Sequence, residues 1–261
     1  MDTVTSARNP ALKEVRKAIV RGSLTDEGLC VAESFHLLEE ALRGDCQIET
    51  IYAAESVKSA VQRHVRGLKI RVQVLADDLF KHVAGTEAPQ GVIALVKPPR
   101  WSIDQLFRGH SLVVVIDGIQ DPGNAGTIVR AAEAFGATGV AFLKGAVNPY
   151  NPKALRASAG STFRVPLVNG LDEQLLLAAI EQRKLDMFAL VPGASVPLED
   201  SHLEERCVLI VGSEGHGVRA RLRNKSIEIR IPTVGVESLN AAMATTVALY
   251  EARRQRMATH L

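Results

Sequence analysis

Residues 112–116 read Leu-Val-Val-Val-Ile and stop at Asp117. Runs around 138–144, 185–193 and 207–213 repeat the pattern, a few apolar positions ending in Asp, Gly, Pro or Ser, separated by segments of helical spacing such as 126–136 and 172–183. Strands buried on both faces look like this, so the alternation predicts a parallel α/β sheet with helices on both sides. In such sheets ligands bind at the carboxyl ends of the strands.

The first hundred residues have a different texture. Asn9 before Pro10 predicts a helix start, and Leu12, Val15 and Ile19 then recur on one face. Arg8, Lys13, Arg16, Lys17 and Arg21 fall on the other side, as a solvated face or as a surface for phosphates. Residues 28–42 read as a short strand entering an amphipathic helix, 48–54 as a strand, 57–67 as a helix and 90–97 as a closing strand, a small α/β sandwich. Pro98 and Pro99, side by side, continue neither kind of element. A linker over 98–109 therefore separates a first domain, 1–97, from a second, 110–261.

Composition narrows the class. The chain has 261 residues, 46% of them hydrophobic and 23% charged, enough apolar material for an ordinary core. Its 31 basic and 29 acidic side chains leave a net charge of +2, and neither domain is basic overall, so any nucleic-acid surface must be local. No apolar run approaches the roughly 20 residues that span a bilayer. The first ten residues, MDTVTSARNP, lack the cationic start and apolar stretch of a secretory signal. A cytoplasmic protein with no membrane partner is the expectation. Cys30, Cys46 and Cys207 have neither disulfide-frame nor zinc-ligand spacing and are expected to be core thiols, with no metal site.

Candidate chemistry lies in the second domain. Neither GxGxxG after a strand nor GxxxxGK[ST] occurs, which argues against a dinucleotide or P-loop enzyme. Instead three polar, glycine-bearing clusters follow hydrophobic strands: DPGNAGTIVR at 121–130, GSEGHGV at 212–218 and IPTVGVESLN at 231–240. Each alone has a structural reading: Asn124 as a helix cap, Glu214 near a helix N-terminus, Ser238 and Asn240 as caps of the last helix. Together they put a cation, a carboxylate, a hydroxyl and two amides in one candidate site.

In this order the clusters resemble the three signature motifs of the SpoU/TrmH family of RNA ribose 2'-O-methyltransferases, in the SPOUT superfamily. The opening VTSARNPALKEVRKA, with EGLCVAESFHLLEEAL and APQGVIALVKPP, is similar to the RNA substrate-binding domain that precedes the catalytic domain in many members. The resemblance implies a C-terminal trefoil knot, a feature that bottom-up rules would not propose because knots are rare. It also implies S-adenosylmethionine as cofactor, held largely through backbone groups by Gly212, Ile231 and Leu239, with Gly193 in the preceding loop as a further contact. One residue fewer separates the IP pair from the SLN triplet than is common in the family, and the first motif opens with Asp121 where Asn is usual.

By the same resemblance Arg130 lies near the reacting hydroxyl, and Asn124, Glu214, Ser238 and Asn240 orient it, the substrate and the cofactor; a Glu214–Arg130 pair is one expected arrangement. A guanidinium is always protonated, so Arg130 suits phosphate anchoring and stabilisation of a developing alkoxide better than proton removal. Lys153, Arg156 and Arg164, and Arg219, Arg221, Arg223 and Lys225 after the second motif, line an RNA groove or a solvated surface. His216 between two glycines reads as incidental. With only 11 aromatic residues, phosphate and shape contacts suit the RNA better than a stacking platform.

The expected function is 2'-O-methylation of ribose in structured RNA, ribosomal RNA ahead of transfer RNA. The competing classes are an RNA-binding protein that kept the fold without catalysis and a small-molecule nucleotide enzyme. The last helix, AAMATTVALYEARRQRM, packs on its own sheet or on a second subunit, and the resemblance favours a homodimer through the C-terminal domain.

Overall fold

Asn9 caps α1 (Pro10–Arg21), its Oδ1 accepting from the Ala11 N–H at 2.9 Å, and Gly22 ends the helix at φ +63°. Leu12, Val15 and Ala18 are buried and Ile19 half-buried, the apolar stripe the spacing predicts. The computed structural model describes residues 2–258 and divides the chain into two compact units.

The first unit runs to Pro99 and includes Tyr150–Arg164. Its strands are β1 (Asp2–Val4), β2 (Cys30–Glu33), β3 (Ile48–Ala54), β4 (Arg71–Leu75) and β5 (Val92–Val96), in the order β1-β4-β3-β5-β2. β1, β4 and β3 are parallel, and β5 is antiparallel to both of its neighbours. Besides α1, the helices are α2 (Phe35–Arg43), α3 (Lys58–His64) and α4 (Asp77–Val83). Leu12, Val15, Val31, Tyr52, Leu75, Phe80 and Ile93 share one core cluster. β1, β4 and α4 escape the sequence pattern because they are short and mix polar with apolar positions.

The segment containing α7 (Pro152–Ala157) falls, from sequence, in the second domain, yet it packs with the first unit. Two buried carboxylates there receive its arginines: the Arg156 guanidinium lies 3.8 Å from Glu33, and Arg164 pairs with Glu40. Gly160 sits at φ +83° where a Cβ would come within 2.4 Å of the Glu40 side chain, so a larger residue would be both strained and crowded. This contact explains why Arg156 and Arg164, two candidate RNA ligands, are turned inward.

The second unit holds α5 (Ile103–Leu106), β6 (Leu112–Asp117), α6 (Pro122–Ala134), β7 (Gly139–Leu143), β8 (Leu167–Leu171), α8 (Glu173–Arg183), β9 (Asp186–Leu190), β10 (Val196–Pro197), β11 (Cys207–Gly212), α9 (Ala220–Arg223), β12 (Ile227–Arg230) and α10 (Ala241–Ala258). Its seven strands are all parallel, in the order β10-β12-β9-β11-β6-β7-β8. Every residue of β6, β7 and β11 is buried, as the apolar runs predict. β8 and β12 are part-exposed and β10 is two residues long, so none shows an apolar run. The chain builds outward from β6 in one direction through β7 and β8, then returns to the other side through β9 and β11, leaving a switch point at the carboxyl ends of the central strands.

Candidate functional site

Three strand ends meet at one cavity of about 600 Å³. Leu190–Gly193 follows β9, Val211–Glu214 closes β11, and Ile229–Thr233 carries β12 into the loop that ends in Glu237, Ser238 and Leu239. The size is within the range of small-molecule sites. All four residues expected to hold the cofactor, Gly193, Gly212, Ile231 and Leu239, line it.

Gly212 is there because nothing larger fits. A Cβ on it would lie 2.0 Å from the Gly217 carbonyl carbon and 2.3 Å from the Val218 nitrogen. The 213–217 loop folds back on itself, with a bridge between Ser213 and Gly217, a 2.8 Å bond from the Gly217 N–H to the Ser213 carbonyl and Gly217 at φ +66°. Glu214 is thus presented from a tight turn and not from a helix N-terminus. The His216 N–H donates to Ser213 Oγ, and the His216 ring is exposed.

Behind the cavity Asp121, rather than Asn124, caps α6: its Oδ1 accepts from the Asn124 N–H at 2.7 Å. The Asn124 side chain is released from capping and donates through Nδ2 to Glu214 Oε1 at 2.6 Å. Its Oδ1 accepts from Asn240 Nδ2 at 3.1 Å, and Asn240 Oδ1 caps α10, accepting from the Ala242 and Met243 N–H groups. The polarity of this chain is determined at both ends, because an ionised carboxylate only accepts and a backbone N–H only donates. Neither amide can flip without losing a bond. The chain ties the first, second and third motifs together.

Arg130 stands elsewhere. It is exposed on α6, does not line the cavity, and makes no hydrogen bond or ion pair among the described residues, so the expected Glu214–Arg130 pair is replaced by Glu214–Asn124. Ser238 is exposed on the cavity wall. Of the basic residues after the second motif, Arg223 is held by Glu228 through two bonds of 2.6 and 2.8 Å, and Arg219 is committed to Asp117. The Asp117 carboxylate, 1% exposed at the end of β6, accepts from the Arg219 N–H at 2.8 Å and faces its guanidinium at 2.7 Å. Burial pushes the Asp117 carboxyl above its ordinary range against the opposing pull of Arg219. That pair, which joins the residue following the second motif to the strand leading into the first, escapes sequence reasoning: 102 positions separate its members. Glu237 is legible only as the neighbour of Ser238.

The candidate RNA ligands are split. Arg8, Lys13 and Arg16 are exposed on or beside α1, and Lys153 is exposed on α7. Lys17 is drawn down by Asp26 at 2.7 Å and Glu14 at 3.4 Å. Cys30 and Cys207 are buried, Cys46 is half-buried, and all three are free thiols; burial pushes Cys46 and Cys207 up to about 11.

The lining suits a small ligand with both apolar and charged parts. Leu190, Val211, Ile229, Ile231 and Leu239 give apolar surface, the glycines expose backbone donors and acceptors, and the charged groups are of both signs, Glu214 and Glu237 with Arg230 and an Arg223 already held by Glu228. Among the described residues no group of three or more His, Cys, Asp or Glu is placed to hold a metal, and no helix is long and apolar enough to cross a membrane.

Comparison with known proteins agrees with this architecture. Residues 9–94 match the MRM3-like substrate binding domain. The 23S rRNA (guanosine(2553)-2'-O)-methyltransferase RlmP of Bacillus subtilis is 32% identical, over 97% of this chain and 100% of its own. The crystal structure of the SpoU methyltransferase AviRb from Streptomyces viridochromogenes in complex with AdoMet superposes with a TM-score of 0.86 at 27% identity, covering 96% of this chain and 99% of that one. An AdoMet-bound rRNA methyltransferase from Sinorhizobium meliloti gives 0.84 at 27%, covering 97% of each. With residues 111–250 matching its methylase domain, the chain belongs to the SpoU rRNA methylase family.

Proposed function

We infer that the chain catalyses S-adenosylmethionine-dependent methylation of a ribose 2'-hydroxyl in ribosomal RNA. The observation that carries this reading is the Glu214–Asn124–Asn240 chain, which joins all three motifs beside a cavity at the strand ends. When bound, S-adenosylmethionine supplies an electrophilic methyl group.

The residues around it have the following roles in this reading. Gly193, Gly212, Ile231 and Leu239 hold the cofactor, mainly through backbone groups and apolar contact. Glu214 is oriented by Asn124, which is itself oriented by Asn240, so a carboxylate is presented in one direction without reorganisation. Ser238 and Glu237 add polar groups on the same wall. Arg130, free of internal partners, has its whole planar fork available for an RNA phosphate and for charge developing on the attacking oxygen. Methyl transfer from a sulfonium asks for in-line positioning and proton removal, so no metal is invoked.

The same proposal includes the family's C-terminal knot, supported by the gathering of three loops around one cavity, and a cytoplasmic location, supported by three free thiols. It also includes a homodimer. On α10 the exposed Met243, Val247, Tyr250 and Met257 recur at helical spacing, a stripe that suits a second copy of this chain. Light scattering of active protein at micromolar concentration tests the dimer, and a mass that stays near 28.1 kDa on concentration sinks it.

The enzymatic reading is tested by mapping 2'-O-methylation in total RNA from cells with and without the gene. A single ribosomal site lost with the gene, and restored in vitro by the protein with S-adenosylmethionine, is the expected result. A lost transfer-RNA site would reassign the substrate, and an unchanged map with no transfer in vitro would leave a binding protein.

A further inference from the structure

We propose that the corner running from α3 through the turn after it to the start of β4 is the surface on which the first unit grips the RNA phosphate backbone. From Lys58 to Lys69 the chain holds Lys58, Arg63, Arg66 and Lys69 and not one acidic residue. All four cations are exposed, and none makes a side-chain hydrogen bond or ion pair among the described residues. Between them Val61 and Val65 are buried, at 0% and 8% exposure, and Val72 at 6% anchors β4 behind the turn. The backbone is thereby fastened to the core while the charged side chains face outward.

The contrast with α1 carries the choice. Basic residues on α1 share their surroundings with Glu14, Asp26 and Glu27, and Lys17 is held by two of these acids. Much of that helix's field is cancelled locally. At the α3 corner Glu55 stands three positions before Lys58, outside the stretch that holds Arg63, Arg66 and Lys69, and Glu39 is taken by His64: Nε2 lies 2.7 Å from Glu39 Oε1 while Nδ1 bonds the Ala60 carbonyl at 2.9 Å. Arg63 lies in the last turn of α3 and Arg66 in the turn that follows it, both exposed on the same corner. The large apolar side chain exposed here is Leu68, too little hydrophobic surface for insertion into a lipid interface. Two arginines with free planar forks suit phosphate oxygens, and counterion release supplies the affinity.

This inference rests on the RNA-methylating reading, and its test separates the two. Full-length wild type, the triple variant Arg63→Ala/Arg66→Ala/Lys69→Ala and the comparison variant Arg8→Ala/Lys13→Ala/Arg16→Ala are titrated with a ribosomal RNA fragment across a salt series. S-adenosylmethionine affinity, by calorimetry, reports the second unit of each, and circular dichroism with amide hydrogen exchange in β3, β4 and β5 reports that the first unit is folded. The α3-corner variant is expected to keep cofactor affinity, to bind RNA at least tenfold more weakly at low salt, and to flatten the log K against log salt slope by about 2–3, at roughly 0.7–0.9 for each phosphate no longer neutralised. The α1 variant should show a smaller loss and a smaller change of slope. A corner variant with wild-type slope and affinity, beside a wild type that binds and methylates RNA, overturns the proposal alone. The same holds if the α1 variant takes the larger loss. A wild type that binds no RNA, and prefers anionic vesicles or an acidic protein, overturns both.

Discussion

The side-chain amide of Asn124 donates to Glu214 at 2.6 Å across 90 positions of sequence. A hydrogen bond to a charged acceptor is worth about 1.5–3 kcal/mol, roughly ten- to hundredfold in rate if it is needed in the transition state. Asn124→Ala should lower methyl transfer by that amount, and Asn124→Asp by more, because a second carboxylate would face Glu214. In a double-mutant cycle Asn124→Ala and Glu214→Ala should be non-additive, since each removes the same interaction. Strict additivity in single-turnover rates would show that the contact does not serve catalysis.

Arg130 has no internal partner to lose, so Arg130→Ala should leave the melting temperature and S-adenosylmethionine affinity close to wild type while abolishing methyl transfer. Lysine there should rescue poorly, because a point charge lacks the guanidinium's bidentate geometry. Turnover near wild type in the alanine variant would remove Arg130 from the mechanism.

Asp117 and Arg219 are a structural pair. Breaking a fully buried ion pair costs about 3–5 kcal/mol, and since the Arg219 side chain is 40% exposed the expected cost of Arg219→Ala is lower, about 2–3 kcal/mol. The pH dependence has a definite sign. Burial raises the Asp117 carboxyl, so at low pH it is protonated in both variants and the arginine matters little, whereas above its folded pKa the variant must bury an uncompensated charge. Urea unfolding at pH 4 and pH 7.5 should show a larger loss at the higher pH, and a loss that is equal or larger at pH 4 would contradict the pairing.

His64 should titrate above its ordinary value of 6.5, first because its ring bonds the Ala60 carbonyl and then because of Glu39. A raised pKa means the charged ring favours the fold below pH 6.5, and that contribution disappears as pH rises through the folded pKa. Glu39→Gln should lower the NMR midpoint without returning it fully, since the Ala60 bond remains, and its small stability cost should be present at pH 5.5 and absent at pH 8.5. A midpoint at or below 6.5 in the wild type would refute the arrangement.

What the sequence by itself determined is local or ordered along the chain. The Asn9–Pro10 start of α1 and the buried runs of β6, β7, β9 and β11 were legible because caps and periodicity act within a turn or a strand, and the order of the three motifs, which carries the family resemblance, pointed to four residues that line the cavity. The tertiary structure alone decided which side chains meet. It made Asp121 the cap of α6 and so freed Asn124 for Glu214, it left Arg130 without an acid, and it folded Tyr150–Arg164 onto the first unit, where Arg156 and Arg164 neutralise Glu33 and Glu40. Such pairs lie up to 124 positions apart, and a buried carboxylate takes whichever cation the packing of both backbones brings within reach.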